Sequence, residues 1–400
     1  MKVLVFSFVP TGADVGEALF GYKWLREISR HVELTVVCYE AQNGPPLAEQ
    51  LPGVELITWP EPQYPAAAER FKAMFKPAYP QLYRRASRWI KEQQAQGRRF
   101  DLGHQFLPVS PRYPSPLVHL DAPYIMGPVG GSLETPPGFK DEMGSAKWYT
   151  HLRKLDGFRF RHDPWLRKSY QKAALVLGLA PYVETLLAPI GVQRYASTLE
   201  LGIDALPPLI ERHNTGPALK LLHVGRGVRT KGLRDVVRAL AHLKDMPEVT
   251  LTSAGTGEEI ALCQQEAQEL GVADRVTFLG KIPREDVEKL YQDSDIFCFP
   301  SFREAAGSVH YEAMRWSLPT ITVDNGGATL IHDDSTAIKL PVTTPEALSH
   351  DIAEAVRRLK ADPEARLKMG LAARDRVAEH GLWENKGKWL MKRYNEICAA

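Results

Sequence analysis

Cysteine is scarce: Cys38, Cys263, Cys298 and Cys398 are the four in 400 residues, and none stands in a CxxC or CxxH spacing. That leaves neither a disulfide framework nor a zinc-ligand pattern, and it fits a reducing compartment. Long apolar runs are also missing. No stretch reaches the roughly 18 uninterrupted apolar residues of a membrane-spanning helix, so any bilayer contact is expected to be peripheral. A surplus of either charge is absent: 50 Lys and Arg face 48 Asp and Glu, a net +2. That balance excludes a dedicated nucleic-acid binder. The opening MKVLVFSFVP has too short an apolar run for a secretion signal and reads as a first β-strand. A cytoplasmic protein is expected.

With 44% hydrophobic and 24% charged residues, the composition is that of a folded globular chain and excludes disordered, collagen-like or coiled-coil classes. The length is that of two domains. Short β-branched runs (KVLVFSF, ELTVVCY, VELITW, LVHLDAPYIMGP, ALVLGLA) alternate with helical patterns such as GEALFGYKWLREISR, and alternation of this kind makes βαβ units. A Pro/Gly-rich stretch over 205–217 reads as a linker. A second series follows: LKLLHVG, a helix over 233–244, VTLTSAG, EEIALCQQEAQEL, RVTFLG, REDVEKLYQDS, IFCFPS and PTITVD. The expectation is α/β, two Rossmann-like doubly wound domains facing each other across a cleft, with ligands at the carboxyl edges of the strands.

Basic residues alternate with aromatics in two places. One is KWYTHLRKLDGFRFRHDPWLRKSYQK, with Lys147, Arg153, Lys154, Arg159, Arg161, Arg167, Lys168 and Lys172; the other runs from Arg70 to Arg99 with Phe71, Phe75, Tyr83 and Trp89. Such segments hold proteins to the anionic inner face of a membrane or bind an acidic acceptor. The plainer expectation is solvated helix faces whose aromatics point into the core.

The chemistry concentrates in two stretches. In LLHVGRGVRTKG (221–232), a strand ends at Gly225 and is followed by Arg226, Arg229 and Lys231 before a helix. Gly225 and Gly227 are expected to let the backbone approach an anion, with Arg226 and Lys231 supplying a fork and a point charge for phosphate oxygens. Lys231 is followed by Gly232, so this is not a P-loop. The second stretch, Glu304 to Glu312, opens a helix after IFCFPS. Its two carboxylates stand about two turns apart, and the amides of Gly307, Ser308 and Val309 lie between them. A sugar nucleotide has this layout: hydroxylated sugar, diphosphate, hydroxylated ribose.

Taken in order, GR-x4-KG at 225–232, AGTGEE at 254–259, RVTFLG at 275–280, DIFCFPS at 295–301, E-x7-E at Glu304 and Glu312, and LPTITVDNGG ending at Gly327 resemble the retaining GT-B glycosyltransferases of family GT4. The resemblance covers about the last 160 residues. It implies a hexosyltransferase taking a nucleotide-diphosphate sugar, a UDP-sugar before GDP-mannose, with no metal or other cofactor and a hydroxyl acceptor of unknown identity. Arg226 and Lys231 would hold the diphosphate, Glu304 the sugar hydroxyls, Glu312 the ribose, and Lys281 and Ile282 the base. Residues 217–380 would form the donor domain, and 1–205 the acceptor domain, joined by a tail helix over 383–400. In the first domain the family's Gly-Gly doublet is replaced by single glycines, Gly12 and Gly16. The run at Gly127–Gly131 places Gly130 and Gly131 where many members carry a histidine, and His104 is the nearest substitute. Asp293, Asp295, Asp333 and Asp334 form no family metal motif. Competing readings are a binding module without turnover and a GT-B epimerase or phosphorylase; a nicotinamide dehydrogenase lacks its GxGxxG.

Overall fold

The computed structural model describes residues 1–65, 71–72, 75–144, 155–199, 201–212 and 216–400. Two compact units emerge. The first comprises Met1–Ser132, Trp148–Glu200 and Trp383–Ala400; the second comprises Leu133–Lys147 and Leu201–Leu382.

The first unit is built on a seven-stranded parallel sheet: β1 (Lys2–Phe6), β2 (Glu33–Glu40), β3 (Glu55–Pro60), β4 (Leu102–Gln105), β5 (Tyr124–Val129), β6 (Leu175–Gly178) and β7 (Tyr195–Ser197). Their order is β3-β2-β1-β4-β5-β6-β7. Strands β1, β2, β4, β5 and β6 bury nearly every residue, as apolar runs covered on both faces must, while the edge strands β3 and β7 stay half-exposed. The helix Trp383–Cys398 packs here: Trp383 meets Trp24 edge to face, and Tyr394 is buried against His104. The run LVHLDAPYIMGP is not one strand. Its first part is a 3-10 turn, Pro116–His119, started by Ser115, whose hydroxyl accepts from the Leu117 amide; β5 begins only after Pro123.

A six-stranded parallel sheet forms the second unit: β8 (Leu219–Val224), β9 (Val249–Ala254), β10 (Val276–Gly280), β11 (Ile296–Cys298), β12 (Thr320–Val323) and β13 (Ala337–Leu340), in the order β10-β9-β8-β11-β12-β13. The helix Leu233–His242 shows why the sequence folds so: Leu233, Val236, Val237 and Leu240, three and four apart, are buried on the sheet. Strand order reverses between β8 and β11, which pair directly. Loops following two such strands diverge and leave a crevice at their carboxyl ends.

The expected first domain, 1–205, loses Leu133–Lys147 to the second unit. The cause is local. Phe139 is a member of the second core, and Glu142 pairs with Arg229 and Arg238. The basic-aromatic stretches divide as well. Arg70, Lys147, Arg153 and Lys154 lie outside the described residues. In the helix Tyr79–Ala95, Tyr79, Leu82, Ala86 and Ile90 are buried, and Trp89 packs on the core with Arg98 over its ring. There the plainer expectation describes the structure. The helices Leu155–His162 and Pro164–Gln171 bury Phe160, Leu166 and Tyr170 but leave Phe158 and Trp165 exposed.

Candidate functional site

The second unit's switch point gathers most of the expected residues. After β8 the chain makes a 3-10 turn, Arg229–Lys231, and enters the helix Leu233–His242 through Gly232 at φ +76°. A side chain at 232 would meet the Pro300 carbonyl at 2.4 Å, so only glycine lets the two switch-point loops lie together here. Ser301 Oγ donates to the Thr230 carbonyl across the same seam, 3.1 Å. The result is an ion pair between the Lys231 ammonium and the Glu304 carboxylate, at 11% and 18% side-chain exposure, with Lys231 5.6 Å above the Phe299 ring. Two groups 73 positions apart, expected to touch the phosphate and the sugar of one ligand, are in contact.

Glu304 is clamped through its backbone. Its carbonyl accepts from the Gly327 amide at 2.8 Å, Asn325 Nδ2 donates to the Phe302 carbonyl at 2.8 Å, and a Cβ on Gly326 would lie 2.1 Å from the Glu304 carbonyl. The role of the NGG turn is thus positional, a purpose its motif alone does not reveal. Gly307, at φ +88°, opens the helix Ser308–Met314. As first residues of that helix, Ser308 and Val309 have amides without an intrahelical acceptor. Glu312, in the same helix, accepts from Tyr291 Oη at 3.3 Å, and burial together with that carboxylate pushes the Tyr291 phenol well above its usual range.

Other expectations are corrected. The Gly225 and Gly227 amides do not face an open anion site: they donate to the Ala254 and Thr256 carbonyls at 3.0 and 2.9 Å. These glycines pack loop on loop; a Cβ on Gly257 would fall 2.1 Å from the Gly227 carbonyl. Arg229 is structural. It is buried, its guanidinium bonds both Asp235 oxygens at 2.6 and 2.8 Å and Glu142 at 2.7 Å, and it lies 5.3 and 5.2 Å from the centroids of the packed Phe139 and Phe302 rings. Arg226 is exposed, with no side-chain partner among the described residues. Lys281 is exposed and Ile282 half-buried in the turn after β10, which is tied to the site's loops by the Gly255 amide donating to the Gly280 carbonyl, 2.8 Å. Asp295 accepts from the Lys220 amide at 2.7 Å, and Asp333 pairs with Arg376.

In the first unit, His104 is not available for chemistry. It is wholly buried, stacked on Phe106, with Nε2 2.7 Å from the Gly127 carbonyl and Nδ1 2.6 Å from Tyr394 Oη. A carbonyl only accepts, so Nε2 carries the proton and Nδ1 accepts from tyrosine. Burial lowers its pKa to about 3. Gly130 donates to the Val109 carbonyl at 2.8 Å, and the Gly131 amide to Tyr182 Oη at 3.0 Å. Gly16, exposed at φ +69°, starts the helix Glu17–Ile28, whose Glu17 carboxylate bonds the Val109 amide and Lys76.

Sequence reasoning missed the buried histidines of the second unit. His223 Nε2 donates to the Lys231 carbonyl at 3.0 Å, anchoring the lysine's backbone. His310 Nδ1 lies 3.0 Å from His332 Nε2, and His310 Nε2 is buried without a hydrogen-bond partner among the described residues. Burial lowers His310 to about 3, with the Lys231 charge adding to it, and His223 to about 4. Only the spacing of His310 inside E-x7-E could have drawn attention to it.

Comparison with known proteins gives three findings. Residues 211–376 match the family described as glycosyl transferases group 1. A GDP-mannose-dependent alpha-(1-6)-phosphatidylinositol monomannoside mannosyltransferase of Mycolicibacterium smegmatis is 29% identical over 196 residues, 47% of this chain and 50% of that protein. The chain spans about half the length of the curated relatives it matches. Among solved structures, sucrose-phosphate synthase from Thermosynechococcus elongatus has a TM-score of 0.64 at 18% identity, over 99% of each chain. HepE from Anabaena, solved in complex with UDP, has a TM-score of 0.62 at 16% identity, over 99% of this chain and 100% of that one. The fold is GT-B.

Proposed function

We propose, from the premise that residues 211–376 belong to the glycosyl transferases group 1 family, that this protein is a retaining hexosyltransferase acting on a nucleotide-diphosphate sugar, with a UDP-sugar as donor and a hydroxyl group as acceptor. The observation that carries the reading is the Lys231–Glu304 pair at the β8/β11 switch point. An ammonium has three N–H donors, and one carboxylate leaves the others for phosphate oxygens. Glu304 is an acceptor for sugar hydroxyls, and the amides of Ser308 and Val309 are donors for the diphosphate. Arg226 is a second cation for it, Glu312 the acceptor for ribose hydroxyls, and Lys281 and Ile282 the flank of the base. The nucleotide-sugar class is supported by the donor named in the mannosyltransferase relative and by the UDP held in HepE.

Transfer with retention proceeds on one face of the sugar. The bond from the anomeric carbon to the diphosphate oxygen breaks and the bond to the acceptor oxygen forms on the same side. The acceptor's proton passes to the departing phosphate oxygen. Lys231 and the two amides meet the charge that develops there, so the reading assigns no metal and no protein nucleophile to the step. The first unit is assigned to the acceptor, and a role in polysaccharide assembly follows if that acceptor is a glycan.

The test is incubation with labelled UDP-glucose, UDP-galactose, UDP-N-acetylglucosamine and GDP-mannose in the presence of candidate acceptors, following nucleotide release and the anomeric configuration of the product. Release of UDP with retained configuration is expected. Turnover of GDP-mannose alone overturns the base assignment, an inverted product overturns the mechanism, and binding with no turnover makes the chain a binding module.

A further inference from the structure

Among the described residues of the first unit, six large apolar side chains are exposed; Met1, Val15 and Phe71 stand apart, and the other three lie close together in sequence. Leu155, Phe158 and Trp165 are 54%, 63% and 73% exposed, and all three fall on the consecutive helices Leu155–His162 and Pro164–Gln171. Both helices are anchored from beneath by Phe160, Leu166 and Tyr170, all buried, and by the buried Arg112–Asp156 pair at 2.7 Å. Their exposed side therefore follows from a fixed attachment. Large aromatic groups grouped on a surface mark a contact region, because water gains nothing by wetting them.

The exposed charges carried by these two helices and by Lys172, which follows them, have one sign. Arg161, Lys168 and Lys172 are exposed alongside Phe158 and Trp165. The two acids of the same segment are turned to other tasks: Asp156 is buried with Arg112, and Asp163 accepts from the Trp165 and Leu166 amides and pairs with Arg159. His162 packs against Phe158 on the same helix, ring centroids 4.6 Å apart.

We infer that this two-helix face docks on an anionic bilayer. Trp165, Phe158 and Leu155 enter the boundary between head groups and acyl chains, and Arg161, Lys168 and Lys172 reach the phosphates with their aliphatic stems along the same boundary. A soluble acidic protein engages the cations and leaves the three apolar groups wet; a lipid surface uses both. The inference does not depend on the reaction assigned to the second unit.

The experiment is co-sedimentation of the full chain with vesicles of phosphatidylcholine and of phosphatidylcholine with phosphatidylglycerol in equal parts, at 50 and 300 mM salt, concentrations at which screening differs by about twofold in length. Binding at least tenfold stronger to the anionic vesicles, falling with salt, is expected. Phe158→Ala with Trp165→Ala, and separately Arg161→Gln with Lys168→Gln, are each expected to weaken it at least tenfold while leaving the thermal unfolding midpoint and vesicle-free turnover unchanged, since these side chains are exposed. Equal partition onto neutral vesicles, or no partition at all, overturns the inference. So does binding that survives the aromatic pair but not the charge pair, the signature of a soluble polyanion partner.

Discussion

At the scale of single residues, the proposed site turns on Lys231. Its ammonium is held by Glu304 and its backbone by His223. Replacing Lys231 by Ala should lower the turnover number by at least about tenfold, the lower range for loss of one donor to developing charge, with nucleotide release as the measurement; an unchanged rate removes the lysine from the mechanism. Tyr291→Phe deletes the hydroxyl that bonds Glu312 and nothing else at the site. Its expected effect is a several-fold rise in the donor KM with little change in kcat, read from initial rates, because Glu312 is assigned to ribose and not to the reacting carbon. Lys231 and Glu304, which the structure brings into contact, drew notice in the sequence because charged residues just past a strand have few structural reasons to be there, and Glu312 only through its spacing from Glu304. His104 misled for the opposite reason. Read as lying just past a strand, His104 is in fact inside β4, and in sequence it looks the same whether its ring nitrogens face a substrate or, as here, a tyrosine and a carbonyl.

Secondary-structure elements show a second limit of the sequence. The glycines of GR-x4-KG announce close approach, but not of what; the partner is the AGTG loop after β9, whose carbonyls take the Gly225 and Gly227 amides. Arg229, one of three cations in that turn, is indistinguishable in sequence from Arg226, yet it is a buried girder joining the 3-10 turn to Asp235 and to Glu142 of the 133–147 segment. Arg229→Leu leaves Asp235, fully buried, without its partner. A loss of about 3 to 5 kcal/mol of stability is expected, the range for breaking one side of a buried pair, measured by urea unfolding. Arg226→Leu, on an exposed side chain, should change stability by less than about 0.5 kcal/mol while weakening donor binding.

For the molecule as a whole, ten of the thirteen strands were legible as apolar runs, because buried parallel strands write themselves that way; the short β4, β7 and β13 of three or four residues were not read as such runs. The path of the chain between the units was not. The transfer of 133–147 rests on Phe139 and Glu142 finding partners some 90 positions away, and no local pattern encodes that. The buried histidines give a property of the entire fold. His104, His223 and His310 have folded pKa values of about 3, 4 and 3, and His332 is well below its ordinary value, burial being the leading cause in each. Each takes up its proton on unfolding once the pH drops below about 6.5, so the unfolded state binds more protons and stability falls with pH. Their contribution is whole above about pH 6.5 and is lost progressively toward pH 4, at up to about 1.4 kcal/mol per pH unit for each independent group. A thermal midpoint that drops steeply between pH 6.5 and 5 is expected by calorimetry, and a flat profile there contradicts the assignment of these rings as buried and neutral.

The chain passes from one unit to the other four times. During synthesis on the ribosome, the first sheet has all seven strands by Ser197, yet the helix that covers Trp24 and His104 begins only at Trp383. The unit that is begun first is therefore finished last, and a nascent chain halted before that helix leaves an indole and an imidazole uncovered, a natural target for chaperones.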